Sequence, residues 1–156
     1  MLAYGVILLI VFVTALSGSI IISNGLKWYR SLSLPPWTPT GRTLGIVWTL
    51  LYLLVAVSGA LFWYWGNDAS VAMRSFIIGM FLTNAALNVL WTAVFFRWHD
   101  IGGAVVQALC LELSILLLVG LLAPYSFLAA LLLLPYACWV LFAFFLTFTV
   151  WQVNYR

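Results

Sequence analysis

Charge is what this sequence has least of. Only 6% of its 156 residues are Asp, Glu, Lys or Arg, whereas a water-soluble domain carries about 25%. That scarcity excludes an ordinary soluble globular fold. The three carboxylates (Asp68, Asp100, Glu112) and the one histidine (His99) are scattered along the chain. No Ser-His-Asp, Cys-His or paired-carboxylate set can be assembled from them, and no glycine motif cradles a phosphate, so conventional hydrolytic or acid–base catalysis is not expected. The two cysteines, Cys110 and Cys138, both lie inside apolar runs. Cysteines so placed behave as small hydrophobes, which argues against a disulfide framework or a zinc site. No metal and no cofactor are expected. A formal charge of +3, confined to loops, is too small to suggest nucleic acid as a partner. No segment alternates with the period of a strand.

What is present is hydrocarbon. Hydrophobic residues make up 67% of the chain and the mean hydropathy is +1.20. At roughly 20 residues per crossing, the apolar runs predict an all-α fold, an integral membrane bundle of five transmembrane helices in one domain over 1–156. The expected spans are 2–23, 43–65, 74–96, 101–122 and 127–150, with Thr43 as N-cap of the second. The first run is span-length and lacks a basic leader, so it reads as a helix rather than a cleaved signal. Pro135 lies inside the fifth span, where it should kink the helix or free a carbonyl.

The exception to this uniformity is the stretch 24–42. It holds Lys27, Arg30 and Arg42, half of the six basic residues, and Pro35, Pro36 and Pro39, three of the five prolines. Proline fixes φ and removes a donor, so Pro-Pro-Trp-Thr-Pro cannot be a helix interior. An ordered loop of this length is more often functional than connective, and it reads as a lid over whatever the helices enclose. Arg97 and Arg156 fall on the same side of a five-span topology, while the other side has only Arg74, offset by Asp68. The positive-inside rule then places the Pro-rich loop and the C-terminus in the cytoplasm, with the N-terminus outside.

Inside the spans a few residues are not hydrocarbon. Asn84 and Asn88 are one helical turn apart and share a face. They serve either as interhelical hydrogen-bonding groups or as a pocket wall offering amides to a ligand. Trp63, Trp65, Trp98 and Trp151 lie at span ends and read as an interfacial belt. Trp48, Trp91 and Trp139 lie deeper, where an indole N–H needs a partner and a planar ring suits a flat aromatic guest; core packing is the competing explanation. Glu112, at the centre of the fourth span, is either a neutral acid bonded to a neighbouring helix or a functional group. His99, beside Asp100 in a turn, reads as a solvated loop histidine rather than a haem ligand. Gly79 and Thr83 form a small-xxx-small pair suited to helix association.

The order and spacing of the aromatic residues carry more information than any one of them. Trp28-Tyr29 and Leu32 precede Pro35-Pro36-Trp37-Thr38-Pro39. Then come Trp48 and Tyr52 in WTLLY, and Asn88, Trp91, Phe95 and Phe96 in NVLWTAVFF. Pro135-Tyr136 and Trp139 follow in LPYACW, and Trp151 and Asn154 close the chain. In this arrangement the chain resembles the translocator protein family, also called tryptophan-rich sensory protein or peripheral benzodiazepine receptor. The resemblance implies a five-helix bundle whose pocket opens toward the first loop, usually as a homodimer in the lipid bilayer. It implies binding of porphyrins and, in animal members, of cholesterol and synthetic drugs. For some bacterial members it implies light- and oxygen-dependent degradation of protoporphyrin IX. By motif position the tryptophans tied to that photo-oxidation fall on Trp48 and Trp139, and ligand contacts on Tyr29, Pro39, Asn88 and Trp91.

Departures from the family pattern narrow these implications. Thr40 replaces a second proline, Ala93 stands where a proline follows Trp91-Thr92, and Gln107 replaces a carboxylate common on the fourth helix. The stretch 146–152 lacks the Tyr and basic residue of the cholesterol-recognition pattern, so cholesterol is not the expected ligand. The leading expectation is a membrane receptor or sensor for tetrapyrroles of the protoporphyrin IX kind or a related hydrophobic small molecule. A photo-oxidative porphyrin-degrading enzyme, a transporter of porphyrin or another small hydrophobe, and a purely structural membrane protein are the alternatives.

Overall fold

A computed structural model of the chain describes residues 2–155; Arg156, counted above toward the basic side, lies outside them. Five long helices account for most of the described residues: α1 (Leu2–Tyr29), α2 (Gly41–Trp65), α3 (Val71–Thr92), α4 (Ile101–Leu122) and α5 (Phe127–Asn154). All five are long and apolar enough to cross a bilayer, and the protein is an integral, multi-pass membrane protein with no strand among the described residues. Around the bundle, α1 touches α2, α2 touches α5, α5 touches α4, α4 touches α3 and α3 returns to α1.

Several boundaries differ from the sequence expectation. Helix α1 does not stop at Ser23 but runs on to Tyr29, because Asn24, Gly25 and Lys27 are polar or small yet none is a proline. Its 28 residues make a rod of about 42 Å at 1.5 Å per residue, which spans the headgroup regions as well as the hydrocarbon. The Pro-rich connection is therefore 30–40 rather than 24–42. Helix α2 starts at Gly41, as soon as the prolines end, and its N-cap is Thr40 rather than Thr43; the Thr40 hydroxyl accepts from the Thr43 amide at 3.2 Å. Helix α3 begins at Val71, placing Arg74 in its first turn, and α5 continues past Val150 to Asn154 and runs through Pro135. Ser70, Asp100 and Ser126 cap α3, α4 and α5 in the same way, satisfying amides that a helix start leaves without partners.

Beyond Thr92, α3 widens into a π-helical turn, Ala93–Arg97, a geometry that clusters at functional sites. This turn packs against the end of α1. Gly25 makes the approach feasible: a Cβ there would collide with the Phe96 carbonyl. Trp28, Tyr29, Trp91 and Phe96 pack with the buried Phe95, Ile101 and Val150 into a small core at the loop-bearing end. A larger core of Leu51, Phe62, Ile77, Leu118, Leu133 and other apolar side chains fills the space between α2, α3, α4 and α5.

Candidate functional site

The buried asparagines find their partners in one another's neighbourhood. Tyr52 Oη donates to Asn88 Oδ1 at 2.8 Å, and Asn88 Nδ2 donates to Tyr136 Oη at 3.0 Å. Tyr136 Oη donates to Asn84 Oδ1 at 3.3 Å, and Asn84 Nδ2 donates to Ser114 Oγ at 2.8 Å. Ser114 Oγ in turn donates to the Leu111 carbonyl at 2.7 Å. One chain of hydrogen bonds thus links α2, α3, α5 and α4 across the middle of the bundle. Groups this deep in hydrocarbon must be satisfied by the protein, and here each donates a hydrogen bond to the next. Tyr52, Tyr136 and Ser114 were not singled out as site residues from the sequence. The available signal was a phenolic hydroxyl inside an apolar span, which needs a partner when buried.

The tryptophans behave differently. Trp48, Trp91 and Trp139 are each half-buried. Trp48 packs against Tyr52 and Tyr136 with ring centroids 5.7 and 6.2 Å apart. Trp139 lies 5.2 Å from Phe142, whose other side meets Trp37 of the Pro-rich loop edge-on at 5.8 Å. Trp91 stacks on Phe95 at 5.8 Å. The indole nitrogens of Trp91 and Trp139 are buried and have no hydrogen-bond partner in the protein. An N–H in that position forfeits roughly 1–3 kcal/mol.

The residues singled out from the sequence therefore divide. Trp48 and Trp139 pack against the larger core, and Asn88 reaches Trp48 through Tyr52. Tyr29 and Trp91 belong to the smaller core, both against Phe95. Pro39 is half-buried in the loop just before the α2 cap. Asn84 and Asn88 line a cavity of about 450 Å³ that Trp48, Trp91 and Trp139 do not line. It is bounded by Leu2 to Thr14 of α1, in the half of the bundle away from the loop.

The loop is fastened to the far end of the chain. Asn154 accepts from the Ser33 amide at 3.0 Å and donates to the Ser33 carbonyl at 2.9 Å and to the Val150 carbonyl at 2.8 Å. Lys27, Arg30, Arg42 and Arg97 are exposed around this end. His99 is exposed and adopts a left-handed φ of 57°. It stacks on Trp28 at 4.2 Å, as a loop residue. Glu112 is 8% exposed and its Oε2 has no partner, so the expected bond from this oxygen to a neighbouring helix is not formed. Gln107 ties α4 to α3 instead, donating to the Leu87 carbonyl at 3.2 Å. No cluster of metal-ligating side chains occurs among the described residues.

Comparison with known proteins gives a consistent result. The TspO/MBR family model matches residues 6–152. A tryptophan-rich protein TspO of Archaeoglobus fulgidus is 31% identical over 151 residues, covering 94% of both chains. The human translocator protein is 33% identical over 133 residues, covering 85% of this chain and 78% of its own length. The protein CrtK of Rhodobacter capsulatus is 31% identical over 131 residues, covering 81% of this chain and 78% of its own.

Proposed function

The chain belongs to the TspO/MBR family, and from that premise we propose that it is a membrane receptor for a flat, hydrophobic tetrapyrrole of the protoporphyrin IX type. The ligand lies among Trp48, Trp91 and Trp139 on the loop-bearing side of the asparagine network. One observation carries this reading: the buried indole N–H groups of Trp91 and Trp139 have no partner in the protein. Two unpartnered donors beside planar, half-buried rings suit a guest with a π-face and a few acceptor atoms. Tyr29 and Pro39 border the same end, and Asn88 supports the ring of Trp48 through Tyr52. Lys27, Arg30 and Arg42, all exposed there, suit the carboxylates of such a guest.

The test is a titration of the detergent-purified protein with protoporphyrin IX in the dark, following tryptophan fluorescence with inner-filter correction. Trp48→Phe, Trp91→Phe and Trp139→Phe are run beside the wild type. Saturable one-site quenching, weakened in the variants, supports the site. Linear quenching identical in all four proteins means partition into the micelle and removes it. Repeating the titration under light then asks whether the bound porphyrin is consumed, which separates a degrading enzyme from a receptor.

Orientation and assembly are part of the same reading. The basic residues at the loop-bearing end support a cytoplasmic position for it by the positive-inside rule. Ser33→Cys should accordingly react with a membrane-impermeant maleimide only in inside-out vesicles. A homodimer through α3 fits the exposed pair Gly79 and Thr83, where a Cβ added at Gly79 meets nothing within 4 Å. Absence of a disulfide-linked dimer in Gly79→Cys would exclude this face.

A further inference from the structure

We propose that the end of the bundle away from the Pro-rich loop holds one zwitterionic glycerophospholipid. Its headgroup lies between Arg74 and Asp68, and one acyl chain descends into the cavity between α1 and α3. The site is separate from the tetrapyrrole site and does not depend on it.

The depth of the cavity is the first argument. Its α1 wall runs from Leu2 to Thr14, a rise of about 18 Å at 1.5 Å per residue. One leaflet of hydrocarbon is about 15 Å deep, so the cavity extends from the interface to the midplane. Val6, Ile7, Ile10 and Phe81 make its sides, and Gly59 adds width opposite Ile7, whose nearest atom would lie 3.7 Å from a Cβ there. The volume of about 450 Å³ is within the range of sites that enclose small ligands, about 300–1,000 Å³.

The chemistry of the deep end is the second argument. Its polar side chains are already committed: Tyr52, Asn84, Asn88 and Tyr136 bond one another, and Thr14 bonds back to the Ile10 carbonyl at 2.8 Å. A guest reaching this floor meets filled hydrogen-bonding groups and apolar walls. A methyl terminus suits it, and a polar head does not.

The upper end differs in kind. Trp63 lines the cavity and also an open hollow above it, walled by Tyr4, Trp65, Asp68 and Arg74. The Arg74 guanidinium sits 4.4 Å from the Trp63 ring centroid. It donates to the Trp63 carbonyl at 2.6 Å and to Asn67 Oδ1 at 3.2 Å. Both acceptors are neutral, and its Nε–H is buried without a partner. Of five guanidinium donors, two are bonded and the Nε–H is buried, which leaves two terminal N–H groups on a fixed cation at the interface. A phosphodiester matches that arrangement. Asp68, exposed on the same hollow, supplies the opposite charge, and the neighbouring aromatic faces attract an ammonium group. A cation and an anion lining one hollow above a single chain-length groove match a zwitterionic headgroup; a purely anionic one would meet Asp68.

The experiment uses the full chain in nanodiscs doped with a phosphatidylethanolamine carrying a diazirine in one acyl chain. After irradiation, adducts are mapped by peptide mass spectrometry. The expected result is several-fold enrichment on residues 2–14 and on Ile78, Phe81, Leu82 and Ala85, not on the adjacent face of Gly79 and Thr83, over the exposed Val106, Leu113 and Leu117 of α4. Arg74→Gln should lower the groove adducts roughly fivefold, the weight of one interfacial cation, and leave those on α4 unchanged. Asp68→Asn, which keeps every Arg74 contact, should erase the preference for phosphatidylethanolamine over an anionic phosphatidylglycerol probe. Adducts spread evenly over all lipid-facing helices would overturn the proposal. So would equal groove labelling by both probes in the wild type, or a groove shielded from lipid by a second copy of the chain.

Discussion

Replacing Tyr136 by phenylalanine removes one oxygen atom from the centre of the hydrogen-bond chain. That oxygen accepts from Asn88 Nδ2 at 3.0 Å and donates to Asn84 Oδ1 at 3.3 Å. Tyr136, Asn84 and Asn88 are 3%, 4% and 3% exposed, so water does not reach the groups left behind. Interhelical hydrogen bonds in membranes average about 0.6 kcal/mol and reach about 1.7, which puts two of them near 1.2 kcal/mol. The orphaned amide hydrogen and carbonyl oxygen add to that, since an unsatisfied buried group costs about 1–3 kcal/mol. Partial relaxation of the surrounding side chains recovers part of it. A loss of about 1.5–3 kcal/mol follows on the same scale. Tyr52→Phe is the internal reference, because it removes a single bond, Tyr52 Oη to Asn88 Oδ1 at 2.8 Å, from a half-buried ring. It should cost about 0.6–1.5 kcal/mol. Thermal unfolding of the purified proteins in one detergent, read by circular dichroism at a fixed scan rate, gives the order wild type, Tyr52→Phe, Tyr136→Phe. If Tyr136→Phe melts with the wild type, or above Tyr52→Phe, the network does not hold the helices together as argued.

Three further outcomes follow from the packing. Gly25→Ala places a Cβ against the Phe96 carbonyl, backbone that cannot rotate away, and should cost about 1–3 kcal/mol in the same melting experiment. Gly79→Ala, with open space around its Cβ, should leave the melting of the monomer within about 0.5 kcal/mol of the wild type. Asn154→Ala removes both bonds to the Ser33 backbone and should raise hydrogen exchange across residues 30–40 while leaving α2 protected. An unchanged exchange rate in the loop would show that Trp37 on Phe142, not Asn154, anchors it.

Much of this architecture was readable in the chain. The fourth helix starts and ends where hydropathy places it, at Ile101 and Leu122. The end of the first helix was misread because polar Asn24 and Lys27 look like a loop. In a headgroup region they remain helical, and the chain breaks only near the prolines. Asn84 and Asn88 were legible as a polar pair on one face, but their partners were not, since Tyr52, Ser114 and Tyr136 lie on three other helices. The deep tryptophans were legible as needing partners. That two of their nitrogens find none emerged only from the packing.

The sequence by itself determined the number of helices, their membrane solvent and, to within a few residues at most ends, where the turns lie. Each of these follows from local composition, that is, apolar length and prolines that end a helix; the caps Ser70, Asp100 and Ser126 came with the structure. It determined family membership too, through aromatic and proline spacing along a single line. The tertiary structure alone decided which helices touch and where the chain encloses space. In lipid the outer face of a helix is as apolar as the inner one, so periodicity does not say which way a helix points. The ring of contacts from α1 through α2, α5, α4 and α3 settles that. With it come the hydrogen-bond chain across the middle of the bundle and the groove above it that ends near Trp63 and Arg74.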